Sequence, residues 1–180
     1  MDTLIALLRG INVGGRNKLP MAALTAILEE LHCHDVRTYI QSGNAVFRSK
    51  PQNTSRLARS LGQAIHNRCG FQRHVMVLTL DALNEAIALN PFPEAESEPK
   101  SLHVNFLASK PKRPDMASLE RLKKENERYR LDGDVFYLHA PDGIGRSKLA
   151  AAAERLLKVP LTGRNWRTVG KIKSLADALE

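Results

Sequence analysis

The chain has 180 residues, 43% of them hydrophobic, which suits one large domain or two small ones around a packed core and excludes a disordered or fibrous class. Its net charge of +8 is unevenly placed: residues 1–80 hold 10 Lys and Arg against 4 Asp and Glu, whereas residues 81–180 hold 17 against 15. A positive first half favours polyanionic partners without requiring them, because basic charge also serves solubility.

Leu4–Leu8 is a near-continuous apolar run and reads as a buried strand. It follows Asp2 and stops at Arg9, too short for a membrane span or a secretory leader, so the chain is expected to be cytoplasmic with no membrane partner. Cys33 and Cys69 stand apart with no Cys-x-x-Cys pair and read as reduced, buried thiols. From Pro20 to Leu31, Leu24, Ile27, Leu28 and Leu31 recur at helical spacing. Val36–Ile40 and Ala45–Phe47 are β-prone runs separated by Gln41-Ser42-Gly43-Asn44, a hairpin signature. Leu57, Leu61, Ala64 and Ile65 mark a helix begun near Asn53 or Thr54 and stopped at Gly70, and His74–Leu80 is another buried strand.

Asp81 is positioned to cap a short helix around Leu83, Ala86 and Ile87, which Asn90-Pro91-Phe92-Pro93 ends. Glu94–Lys100, acidic and proline-bearing, reads as a linker. The pattern then nearly recurs: a strand over 102–108, a helix over 114–126, and a hairpin of 129–131 with 135–139 about Asp132-Gly133. A helix over 147–157, a short strand readable at 159–161 and a last helix over 165–179 follow. The fold class is therefore α+β. Residues 1–80 form a ferredoxin-like βαββαβ plait, 81–100 a short helix and linker, and 101–180 a second plait of βαββα type with an extra C-terminal helix.

In such a sheet the loop after strand one and the turn between strands two and three lie at the same end, because strands one and two run parallel. The Gly10–Lys18 loop and the Gln41–Asn44 turn are expected to meet. Strand one is apolar on both sides, Ile5 and Leu7 against Leu4, Ala6 and Leu8, so both sheet faces should be covered, by the second half of the chain or by another subunit.

Four stretches carry ligand chemistry. Gly10–Asn17 nearly fits the phosphate loop G-x-x-x-x-G-K-[ST], but Arg16 replaces the lysine and Asn17 the magnesium-binding hydroxyl. An anion site and a structural loop tied by Asn12 and Asn17 both remain open. Gln41, Ser42, Gly43 and Asn44 would supply polar groups beside it. Gly143-Ile144-Gly145-Arg146-Ser147-Lys148 leads into a helix, whose free N–H groups, the Ser147 hydroxyl and two cations suit an anion; a plain serine cap is the alternative. Thr162-Gly163-Arg164-Asn165-Trp166 repeats that chemistry, with Trp166 reading as core rather than as a stacking platform. His32-Cys33-His34 does not furnish a tetrahedral metal site, and no cofactor is implied. The RNA-recognition form of the plait needs exposed aromatics on its central strands, where only Phe47 is available.

The strings Ala6–Gly15, Thr38–Asn44, Gly145–Leu149 and Arg164-Asn165-Trp166 with Thr168 and Lys171 resemble a bacterial family of uncharacterised cytosolic proteins, domain of unknown function 1697. The resemblance implies two ferredoxin-like halves and no established activity, cofactor or catalytic residue. Its expected helix end departs at His32-Cys33-His34, to which no role attaches.

The expected function is binding of a phosphate-bearing small molecule or nucleic acid. Arg9, Arg16, Lys18, Arg146, Lys148 and Arg164 would hold charge, Asn12, Asn17, Gln41, Ser42, Asn44 and Asn165 would orient the ligand, and Gly14, Gly15 and Gly43 would admit it closely. The two basic loops of the separate halves are expected to share one cleft. The alternatives are an enzyme on a phosphorylated metabolite, with His139 as the candidate acid or base, and an interaction module that could form a homo-oligomer.

Overall fold

The structure, a computed structural model, describes residues 1–180 and holds six α-helices and two four-stranded antiparallel sheets. The apolar run at the start becomes β1 (Asp2–Leu8), and every residue from Thr3 to Leu8 is buried. β1 lies between β3 (Asn44–Ser49) and β4 (Val75–Thr79), with β2 (His34–Tyr39) outside β3, giving the order β2-β3-β1-β4. One face of this sheet carries Leu4, Ala6, Leu8, Ala45, Phe47 and Val77. Helix α1 (Met21–Glu30) sets Leu24, Ile27 and Leu28 against it, and α2 (Thr54–Cys69) sets Leu57, Leu61 and Ile65. Asn53 caps α2 by accepting the Arg56 N–H, and Gly70 ends it at φ +76, a backbone that glycine tolerates.

The opposite face of β1 is buried as well, with Ile5 and Leu7 fully enclosed, as a strand apolar on both sides requires. Thr3, on that face, donates its hydroxyl to the Glu180 carboxylate, which ties the chain's last residue to the first strand. By compactness the chain divides into Met1–Glu85 with Lys171–Glu180, and Ala86–Gly170. The expected division at residues 80 and 101 differs from this one. The last ten residues belong with the first unit, and the Glu94–Lys100 stretch belongs with the second. That stretch is no loose linker: Phe92 and Ala95 are buried, and Pro93–Ser97 winds into a short 3-10 helix. The short helix before it, α3 (Leu80–Ala88), is capped by the Thr79 hydroxyl, which accepts the Ala82 N–H, rather than by Asp81, already inside the first turn.

In the second unit β5 (Leu102–Leu107) pairs with β7 (Val135–His139) and β8 (Leu161–Asn165), and β6 (Arg128–Asp132) lies outside β7. The order β6-β7-β5-β8 repeats that of the first sheet. Helices α4 (Met116–Leu122) and α5 (Lys148–Leu157) pack Leu119, Leu149, Ala153, Leu156 and Leu157 on one sheet face. α4 is shorter than its periodicity suggests, because the buried Glu127 carboxylate accepts the Lys124 N–H and turns the chain away. β8 begins later than expected. Lys158 ends α5 in the left-handed region, Pro160 lacks a ladder donor, and pairing starts only at Leu161. Thr162–Asn165 is therefore strand rather than loop. Gly163 is required there, since a Cβ would lie 2.2 Å from Asn105 Oδ1, whose amide donates to the Phe136 carbonyl at 2.9 Å. The last helix, α6, runs from Trp166 to Asp177, and no helix is long and apolar enough to cross a membrane.

Candidate functional site

Three connections meet at the end of the first sheet where β1 stops. The first is the Gly10–Lys18 loop. Val13-Gly14-Gly15-Arg16 closes a tight turn through Arg16 N–H to Val13 C=O at 3.0 Å, with φ +58 and +73 at the glycines, the two positive angles a type I′ turn demands. Asn12 N–H donates to Asn17 C=O at 3.1 Å below it, so the loop is a miniature hairpin. Asn12 and Asn17 stand at its base with φ +54 and +51, which Asn accepts more readily than most residues. The Asn12 amide donates to Leu19 C=O and Gln41 C=O at 2.9 and 2.8 Å and accepts the Leu19 N–H at 2.8 Å, and the Asn17 amide donates to Gly10 C=O at 3.0 Å.

The second connection is the β2–β3 turn, which the Asn12–Gln41 bond joins to the loop. Leu8 N–H donates to Gly43 C=O at 2.8 Å, and Gly43 is buried with φ +84. Asn44, also buried, donates to Tyr39 C=O at 2.8 Å and to the Ser42 hydroxyl at 3.1 Å. The expected meeting of loop and turn is observed. Asn12, Asn17, Ser42 and Asn44 spend these side-chain bonds on holding that junction together. Arg9, Arg16, Lys18 and Gln41 are exposed around it.

The third connection, from α2 to β4, has no motif in the sequence. Antiparallel pairing of β4 with β1, Leu8 opposite Val75, brings the residues before Val75 to this end. Arg9, Gly10, Gln72, Arg73 and His74 line an open groove of about 530 Å³. Arg9 N–H donates to His74 C=O at 3.3 Å, and the Arg73 stem passes over Gly10, where a Cβ would lie 3.4 Å from its Cδ. The groove wall has two arginines and no carboxylate, a surface suited to an anion.

The remaining candidates lie in the second unit. Ser147 caps α5, its hydroxyl accepting the Ala150 N–H at 3.0 Å, while Arg146 and Lys148 are exposed on either side. Arg164 sits within β8, not at a helix start; desolvation lowers its pKa to about 10, and it donates to Gly163 C=O at 2.9 Å. Asn165 accepts the Thr168 N–H at 2.9 Å and so caps α6, and Trp166 is half-buried. Of His32-Cys33-His34, only Cys33 is buried, its thiol pushed up to about 11 by burial, and the two histidines are exposed.

His139 belongs to a surface cluster: Arg128 donates to its Nδ1 at 3.1 Å, lies 4.7 Å over the Phe92 ring and pairs with Glu94. Burial, then the neighbouring Arg128 charge, holds His139 below the ordinary imidazole value, and burial does the same to His103. The unfolded chain thus takes up these protons at higher pH than the folded one. Their contribution to stability is complete above the unfolded imidazole value of about 6.5 and is lost as pH falls through the lowered folded values. Thermal melts should show a lower Tm at about pH 5.5 than at about pH 7.5, with a smaller difference in His103→Gln; a Tm that rises on acidification contradicts the assignment.

The fold and these loops define a mixed α+β protein of two similarly ordered sheets with an arginine-lined groove at one sheet end. The chain belongs to the family described as protein of unknown function (DUF1697), whose model matches residues 1–137. The Gly145–Leu149 and Arg164–Trp166 strings fall outside that match. A solved structure, the conserved bacterial protein SP0830 from Streptococcus pneumoniae, is similar with a TM-score of 0.67 at 25% identity, over 97% of this chain and 98% of that one. No protein of curated function matches the chain.

Proposed function

We propose that the protein is a cytoplasmic binder of a phosphate-bearing ligand, a nucleotide or nucleic acid, held at the β1 end of the first sheet. One observation carries the reading: of the three connections that meet at this sheet end, the loop after β1 and the α2–β4 connection line a groove with Arg9 and Arg73 in its wall, and the same loop exposes Arg16 and Lys18. The loop is already held by Asn12 and Asn17, so the ligand need not bear the entropy of ordering it. Arg9, Arg73, Arg16 and Lys18 are the charge-bearing contacts, and Gln41 with the N–H groups of Gly14 and Gly15 supplies polar ones. The two units are taken as ferredoxin-like plaits, on the strength of the shared strand order and the helices packed on one face of each sheet. Catalysis at His139 has little support, because its Nδ1 is engaged by Arg128.

The test is thermal shift and titration calorimetry with a panel of nucleotides and short oligonucleotides. Arg9→Ala and Arg16→Ala should each weaken a bound phosphate ligand by about 2 kcal/mol, the scale of one charge-assisted hydrogen bond. If a phosphate ligand binds and neither change weakens it, the site lies elsewhere. If none binds, association through exposed apolar residues such as Val13 and Ile40 becomes the leading reading.

A further inference from the structure

From Val36 to Leu80 the chain contains no Asp or Glu and seven Lys and Arg. This 45-residue stretch supplies most of β2, the whole of β3, α2 and β4, and the groove residues Gln72, Arg73 and His74. α2 buries its apolar stripe of Leu57, Leu61 and Ile65 and leaves Arg56, Arg59, Gln63 and Asn67 exposed along the other side. Gln63 donates to Asn67 at 2.8 Å, and Arg68, at the flank, pairs with Glu30 of α1. The outer face is therefore cationic and polar with no carboxylate of its own.

We infer that this outer face of α2 continues the sheet-end groove into a track for the backbone of a nucleic acid. The inference rests on the reading of the groove as an anion site and adds the class of ligand. Sixteen residues of helix extend about 24 Å, farther than the phosphates of one mononucleotide reach, and α2 leads directly through Gly70 into Gln72 and Arg73. Arg56 and Arg59 in the first half of the helix and Arg73 beyond its end are separate cations, with the uncharged Gln63 and Asn67 between them, which suits a repeating phosphodiester charge. An anionic lipid surface is the poorer fit, since such a helix would insert apolar side chains, and those of α2 are already in the core. No Phe, Tyr or Trp lies on this face, so binding should depend on charge and show little sequence preference.

The experiment follows fluorescence anisotropy of a labelled oligothymidylate of about 12 nucleotides, with thymidine triphosphate in parallel, between about 50 and 200 mM salt. The parent protein should bind the oligonucleotide more tightly than the triphosphate. Arg56→Gln with Arg59→Gln should cost the oligonucleotide about tenfold in affinity and flatten the logarithmic salt slope by about 1.4, leaving triphosphate binding within about twofold. The lysine pair Arg56→Lys with Arg59→Lys should keep most of the affinity and the slope. Arg73→Gln should weaken both ligands. If the glutamine pair leaves oligonucleotide affinity and slope unchanged while Arg73→Gln weakens the triphosphate, the track is wrong and the groove stands. If neither ligand binds, both readings fail. Binding to phosphatidylserine vesicles without binding to the oligonucleotide also overturns the track.

Discussion

Replacing Gly43 by alanine should destabilise the first unit by about 3 kcal/mol. Two independent costs combine. The left-handed backbone of Gly43, φ +84, disfavours any L-residue by about 1–2 kcal/mol. The added methyl would also lie 2.7 Å from both Leu8 Cβ and Ile11 Cδ1, two buried side chains with little room to withdraw, and such overpacking costs about 1–3 kcal/mol. Denaturant titration should show the midpoint falling at unchanged slope. A loss below about 1 kcal/mol would mean that the β2–β3 turn can move away from β1 freely, which would also loosen the junction on which the site depends.

The second large effect is expected at Asn12. Asn12→Ala removes two donated bonds and one accepted bond, each contributing about 1 kcal/mol, and leaves alanine at φ +54. Part of this is offset by water, since the residue is only half-buried, so a loss of about 2–3 kcal/mol is expected. Arg16→Ala, at the exposed tip, should by contrast change stability by less than about 0.5 kcal/mol. The pair separates holding the loop from contacting the ligand. Asn12→Ala should impair binding together with stability, and Arg16→Ala binding alone. Equal stability losses in the two variants would contradict this division of roles.

Much of the first unit was legible because its signals are local. β1 is apolar on both faces, α2 carries both its Asn53 cap and its Gly70 stop, and the βαββαβ order places loop and turn at one end. β8 is hidden in the sequence because Thr162-Gly163-Arg164-Asn165 resembles a loop by composition. Its strand character comes from pairing with β5 and from Asn105 occupying the space beside Gly163, both non-local facts. Arg73 carries no signal in the sequence for a similar reason: only the pairing of β4 with β1 brings it beside Arg9. The asparagines show a different limit. An amide beside a glycine loop can face a ligand or its own backbone with the same sequence, and here Asn12, Asn17 and Asn44 face the backbone.

The central claim is that a phosphate-bearing ligand is held at the β1 end of the first sheet. An amide NMR titration with pyrophosphate and then thymidine triphosphate tests it most directly, because the backbone N–H groups report the site without any substitution. The account predicts saturable shifts at Arg9, Gly10, Gly14, Gly15, Arg16 and Gln72–His74, with those of α2 joining only when an oligonucleotide replaces the triphosphate. Saturable shifts confined to residues outside these connections, or no shifts with any phosphate ligand, would contradict it.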